Sequence, residues 1–122
     1  MNFTKEDFKK TLTEELWIEL KDGFAVRVDY PVYPHTANIS KLAVMEATGD
    51  EMKEPSFAFY IRAIVKDFRG CEIEGKDYHP KLENHLLSID DFNFLHGQNF
   101  TWKIIEEARQ KLDFNQVDKK KS

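Results

Sequence analysis

The sequence is poor in several things, and each shortage excludes something. One cysteine, Cys71, stands among 122 residues, so no internal disulfide can form and a reducing compartment is expected. The five glycines, at 23, 49, 70, 75 and 97, never gather into a loop that could cradle a phosphate. No apolar stretch approaches the ~20 residues of a membrane-spanning helix. The opening MNFTKEDFKK has no apolar run of the kind a secretory signal carries, and a cytoplasmic location without membrane contact is expected. Positive charge is short as well: 18 Lys and Arg face 22 Asp and Glu, a net charge of −4. Three of the positive charges are the terminal Lys119, Lys120 and Lys121, so the body is more acidic still. A body without a basic stripe cannot displace counterions from phosphates, and no nucleic-acid partner is expected.

What the chain does have is apolar mass. Ten Phe, four Tyr and two Trp sit in a sequence that is 41% hydrophobic, enough for one core at this length. A single globular domain over residues 1–114 is expected, followed by a polar, basic, frayed tail over 115–122.

Local patterns suggest the elements. Thr4 is a candidate N-cap, with Asp7 three residues on and a Phe3–Phe8 staple, which predicts a helix over about 5–13. Leu16, Ile18 and Leu20 alternate with polar residues, as do Phe24, Val26 and Val28, a period of two that predicts a hairpin. A three-residue loop, Lys21-Asp22-Gly23, pairs Leu20 with Phe24, Ile18 with Val26 and Leu16 with Val28, keeping every aliphatic on one face. Pro31 and Pro34 end the second strand. Thr36 then predicts the start of a helix to about Thr48, with Ile39, Leu42 and Met45 on one side and Gly49 as its stop; Thr48–Glu54 reads as an acidic loop.

The strongest pattern covers residues 56–69, where Phe57, Tyr60, Ile61, Ile64, Val65 and Phe68 form a stripe at the helical period, closed by Gly70. A tight reversal is expected at Gly75-Lys76-Asp77. Short helices are expected over Pro80–Leu87, with Leu82, Leu86 and Leu87 inward, and over Asp90–His96, with Phe92 and Leu95 inward. A longer one from Asn99 to about Asp113 would bury Phe100, Ile104, Ile105, Ala108 and Leu112. The fold class these patterns give is α+β: an N-terminal helix and one antiparallel β-hairpin packed on a mainly helical C-terminal part.

Residues that could carry chemistry are scattered. His79 and His85 are six apart, and no pair has the spacing of a zinc site, so no metal is expected. Cys71 lacks a recognisable Cys–His–Asn framework. Asp90 and Asp91 adjoin Phe92 and Phe94 and, with His96, are the best acid–base candidates; acids at a helix N-terminus also favour its dipole without any catalysis. No cofactor and no catalytic residue is assigned. Residues 92–102 hold Phe92, Phe94, Phe100 and Trp102, more aromatics than one helix face can hide. Phe94 and Trp102 are therefore candidate partner contacts, joined by Trp17 on the face of the hairpin opposite Leu16, Ile18 and Leu20.

The order of phrases carries a resemblance. ELWIELKDG and FAVRV are followed by Val65-Lys66-Asp67-Phe68-Arg69-Gly70, by the acidic turn EIEGKDY, and by PKLENHLLSIDDF. This order resembles the tail assembly chaperones of tailed bacteriophages, with Phe68 where a Trp is the commoner residue. The resemblance implies a non-enzymatic assembly factor in the host cytoplasm that shields apolar surface of a tape-measure or tail-tube protein, or a minor virion assembly protein. No catalytic set comes with it. The alternative is a small acidic inhibitor that blocks a basic site on a host or toxin protein, an association that salt would weaken.

Overall fold

The structure, a computed structural model, describes residues 1–6, 15–51 and 54–112. The expected helix over 5–13 falls outside them except for Lys5 and Glu6, which are helical, and so does the expected tail over 115–122.

Strand β1 (Leu16–Lys21) and strand β2 (Phe24–Val28) form the expected antiparallel hairpin. Leu16 pairs with Val28 and Ile18 with Val26. The turn is shorter than expected. Asp22 and Gly23 alone make it, both with positive φ, 47° and 84°, the conformation that matches the twist of paired strands. A two-residue turn would rotate the apolar set to the wrong face, but the ladder slips between Glu19 and Lys21. That bulge absorbs one residue, so Lys21 and not Leu20 pairs with Phe24, and Leu20 stays buried.

Two prolines later the chain enters α1 (His35–Thr48), closed by Gly49 in the left-handed region as expected. Thr36 lies one residue inside rather than at the cap, and Thr48 belongs to the helix rather than to the acidic loop. Of its side chains only His35 is buried; Ile39, Leu42 and Met45 are half-buried. Helix α1 is therefore held chiefly at its ends. His35 Nε2 donates to the Asn84 carbonyl at 2.7 Å. Near the other end, the Glu46 carboxylate accepts from the Ser56 amide at 2.8 Å and from the Ser56 hydroxyl. Glu46 thus caps the next helix, whose own N-cap residue Pro55 makes no side-chain bond.

The stripe over 56–69 is not one helix. Helix α2 (Ser56–Ile64) stops at Val65, which is extended, and residues Val65–Arg69 form strand β3 beside β2. The sheet order is β1-β2-β3, so the hairpin becomes a three-stranded antiparallel sheet. Val65 and Phe68 suit either reading in sequence. In the strand they pair with Val28 and Val26 and fill the inner face, with a bulge at Lys66 keeping both inward. Pairing β3 gives the open side of β2 a partner, which a continued helix would leave unbonded. Gly70 has positive φ, 73°, as the end of this strand rather than of a helix. A Cβ there would lie 2.3 Å from the Gly23 carbonyl oxygen, so the end of β3 packs directly on the β1–β2 turn.

Two small hairpins follow: β4 (Glu72–Ile73) with β5 (Lys76–Asp77), and β6 (Leu82–Glu83) with β7 (Leu86–Leu87). Each turns on two residues of positive φ, Glu74-Gly75 and Asn84-His85. The first turn sits one residue earlier than expected. The second replaces the expected helix over 80–87, so Leu87 is buried while Leu82 is exposed. Helix α3 (Ile89–Gly97) and helix α4 (Thr101–Leu112) are the last described elements and lie near their expected bounds. The core lies between the inner face of the sheet and α2, α3 and α4, with Ile18, Val26, Ile61, Phe68, Leu95 and Ile104 wholly inaccessible to solvent. Arg62 ties α2 to this layer, its Nε donating to the Leu87 carbonyl at 2.8 Å and its Nη1 paired with Glu54 at 2.8 Å. The class is α+β, with more strand in its C-terminal part than the sequence suggests.

Candidate functional site

Three helices meet at a partly exposed aromatic ledge. Helix α2 brings Phe57 in its first turn, α3 brings Phe92 and His96 one turn apart, and α4 brings Trp102 in its first turn. The corner between α3 and α4 sets their spacing. Asn99 is left-handed, with φ 64°, its amide donates to the His96 carbonyl, and the Phe100 amide donates to that of Leu95. Thr101 is buried there, with its hydroxyl 3.3 Å from His96 Nδ1. Trp102 then stacks on Phe57, with centroids 5.2 Å apart and planes at 26°. His96 stacks on Phe92 at 5.7 Å and 11°, and Phe57 lies 5.9 Å from His96. Phe92 is the buried floor and Trp102, 63% exposed, the open wall. Ile89, exposed and three residues before Phe92, extends the same stripe of α3.

The structure sets the three residues proposed as partner contacts apart. Trp102 stands on the ledge. Phe94 is two positions from both Phe92 and His96, hence on the other flank of α3, where it packs against Phe24 and Phe68 with 37% of its surface exposed. Trp17 lies on the outer face of the sheet, half-buried, with the Arg69 guanidinium 4.4 Å over its ring. Its Nε1 donates to Glu15 and Arg69 pairs with Glu19, so that face is dressed by the chain's own charges. Sequence reasoning missed Phe57, whose place in a strong core stripe marks it as interior.

The acid–base candidates are not gathered into a cleft. Asp90 is exposed and His96 belongs to the ledge. Asp91 is buried and engaged: it accepts from the Tyr78 hydroxyl at 2.5 Å, the Lys81 amide at 2.8 Å and the Ser88 hydroxyl at 2.6 Å. Ser88 returns the contact by accepting from the Asp91 amide, a reciprocal cap on α3. The hydrogen bond to Asp91, then burial, pushes the Tyr78 phenol up to about 12. Burial first, and then the charges of Asp77 and Asp91, push the Cys71 thiol up, the opposite of what activates a nucleophile. Among the described residues no group of three His, Cys, Asp or Glu could hold a metal ion. An open groove of about 440 Å³ runs between α1 and α2, lined by Asn38, Lys41, Leu42, Met45, Glu51, Glu54 and Phe59, away from Asp90, Asp91 and His96. No helix of the described residues is long and apolar enough to cross a membrane.

Comparison with family models, with curated proteins and with solved structures gives no match.

Proposed function

We propose that this chain is a non-enzymatic protein-binding factor that covers apolar surface of a partner with its aromatic ledge. The observation that carries the reading is the stack of Trp102 on Phe57, which holds a large ring rigidly at the surface with most of its area open. Rigid exposed aromatics lose little entropy on binding and dominate interface energetics. An indole 63% exposed offers roughly 150 Å² for burial, about 3–4 kcal/mol at ~25 cal/mol per Å². Phe57 beneath it and His96 beside Phe57 make the contact an area rather than a point.

In its most specific form the reading is of a tail assembly chaperone or minor virion assembly protein of a bacteriophage, acting in the host cytoplasm on a tape-measure or tail-tube protein. That form rests on the phrase order of the sequence alone. A photo-crosslinking amino acid at Glu106, exposed one turn along α4 from Trp102 and so leaving the stack intact, tests the ledge, with one at Val44 on α1, 62% exposed, as the control. The ledge reading expects one protein partner crosslinked from 106 and not from 44; equal or absent labelling from 106 would remove it.

A further inference from the structure

His79 follows the β4–β5 hairpin and carries a carboxylate on each ring nitrogen. Its Nδ1 lies 2.8 Å from Asp67 Oδ1 on β3, and its Nε2 lies 3.0 Å from Asp77 Oδ2 on β5. A neutral imidazole has one N–H, so one nitrogen would turn a lone pair toward a carboxylate. Only the imidazolium donates to both acids. The ring therefore bridges sheet and hairpin as a cation between two anions. Residues 72–77 of the hairpin are all exposed, Ile73 included, so burial does not hold this arm down.

We propose that His79 is a proton-operated latch, which ties the β4–β5 hairpin to β3 through both carboxylates when charged and keeps only one of the two contacts, so a looser hold, when neutral. The charged groups around the ring are Asp67 from β3, with Arg27 of β2 opposite it in the ladder, and Asp77 from β5. The bond to Asp67 foremost, then that to Asp77, raises the histidine above its ordinary 6.5, and slight desolvation acts the other way. A raised value means the latch is complete below about 6.5 and is lost as pH climbs through the elevated value. The neighbouring Tyr78 anchors the base of the hairpin from the inside, through Asp91 and through its amide on the Cys71 carbonyl. Its phenol ionises only at about 12. The core anchor stays while the arm loosens, so the change is confined to residues 72–77. Because the ring is more than half exposed, salt weakens the latch.

The test is an NMR titration of the whole chain from about pH 5 to about pH 9, the range in which histidines change charge. The His79 ring is expected to titrate above its ordinary value, and the amides of Ile73, Glu74, Gly75 and Lys76 to shift with the same midpoint. Asp67→Asn lowers that midpoint. His79→Gln, a surface change that leaves the remaining spectrum in place, abolishes the titration of those amides. Hairpin amides that do not follow the ring, a midpoint unmoved in Asp67→Asn, or an amide titration that survives His79→Gln would each overturn the proposal.

Discussion

Replacing Asp91 by alanine is the perturbation whose size the structure fixes best. The carboxylate is 3% exposed and accepts three hydrogen bonds, from Tyr78, Lys81 and Ser88. In Asp91→Ala the Ser88 hydroxyl still accepts from the amide of residue 91 and loses the acceptor of its own proton, but it is half-buried and can donate to water instead. The Lys81 amide and the Tyr78 hydroxyl lose their acceptor. Each such loss costs about 1–3 kcal/mol, and the burial of a carboxylate is no longer needed, so the net is about 3 kcal/mol. Asp91→Asn keeps one oxygen for Lys81 and Ser88, and its amide can donate to a reoriented Tyr78 hydroxyl, so it costs only about 1 kcal/mol. Urea unfolding measures both. With a slope of about 2 kcal/mol per M, the alanine midpoint falls by about 1.5 M and the asparagine midpoint by about 0.5 M, at unchanged slope. A second readout is the ultraviolet titration of tyrosinate. Tyr78, pushed up to about 12 by its bond to Asp91, is expected to move down toward the ordinary 10 in Asp91→Ala. The raised value means that this bond adds stability in full below pH 10 and is lost as pH rises toward 12. An alanine variant within about 0.5 kcal/mol of the parent, or an asparagine variant as damaged as the alanine, would refute the reasoning from acceptor pairing.

Other perturbations follow the same logic. Gly70→Ala places a Cβ 2.3 Å from the Gly23 carbonyl oxygen at a positive φ. It is expected to cost more than Gly49→Ala or Gly75→Ala, which share the positive φ but meet open space, by about 1 kcal/mol or more in thermal unfolding. Phe68→Ala empties the centre of the inner sheet face, where the ring is wholly inaccessible to solvent, and is expected to cost about 3–5 kcal/mol in the same assay. Glu46→Ala removes the carboxylate that caps α2 from α1, and hydrogen exchange is expected to quicken in α1 and at the start of α2. The Glu46 carboxyl sits below its ordinary 4.5 because Ser56 donates to it twice, so this tie is complete above about pH 4.5 and is lost as pH falls through the lowered value.

Much of the fold is legible in local patterns, and the exceptions share a cause. The alternation from Leu16 to Val28 predicts both strands and the faces they bury. The αL glycine after Thr48 and the spacing of Ile104, Ile105, Ala108 and Leu112 predict two helix boundaries well. Val65 and Phe68, by contrast, continue the helical stripe from Phe57 by coincidence of spacing. What makes them a strand is the unpaired side of β2, a partner 37 or more positions away in sequence that no local window contains. The hairpin over Leu82–Leu87 has strands of two residues each, too short for alternation to register, and its Asn84-His85 turn was the one local sign of it. Asp91 had a readable signal, the Ser88-x-x-Asp91 spacing of a reciprocal cap, but its three-way burial depends on Tyr78 and Lys81. The ledge divides the same way: exposed Trp102 is legible from aromatic crowding over residues 92–102, whereas Phe57 joins it only through the packing of α2 against α4.

The most direct test of an interface built on the Trp102–Phe57 stack is an affinity measurement at two salt concentrations, made on the protein that crosslinks from position 106. Trp102→Ala, checked for an unchanged fold, is expected to weaken binding by about 2–3 kcal/mol, which is about 30- to 150-fold, while high salt leaves the parent affinity unchanged or strengthens it. An affinity that Trp102→Ala leaves intact, or one that collapses as salt rises, would contradict an apolar ledge and point to recognition through charge.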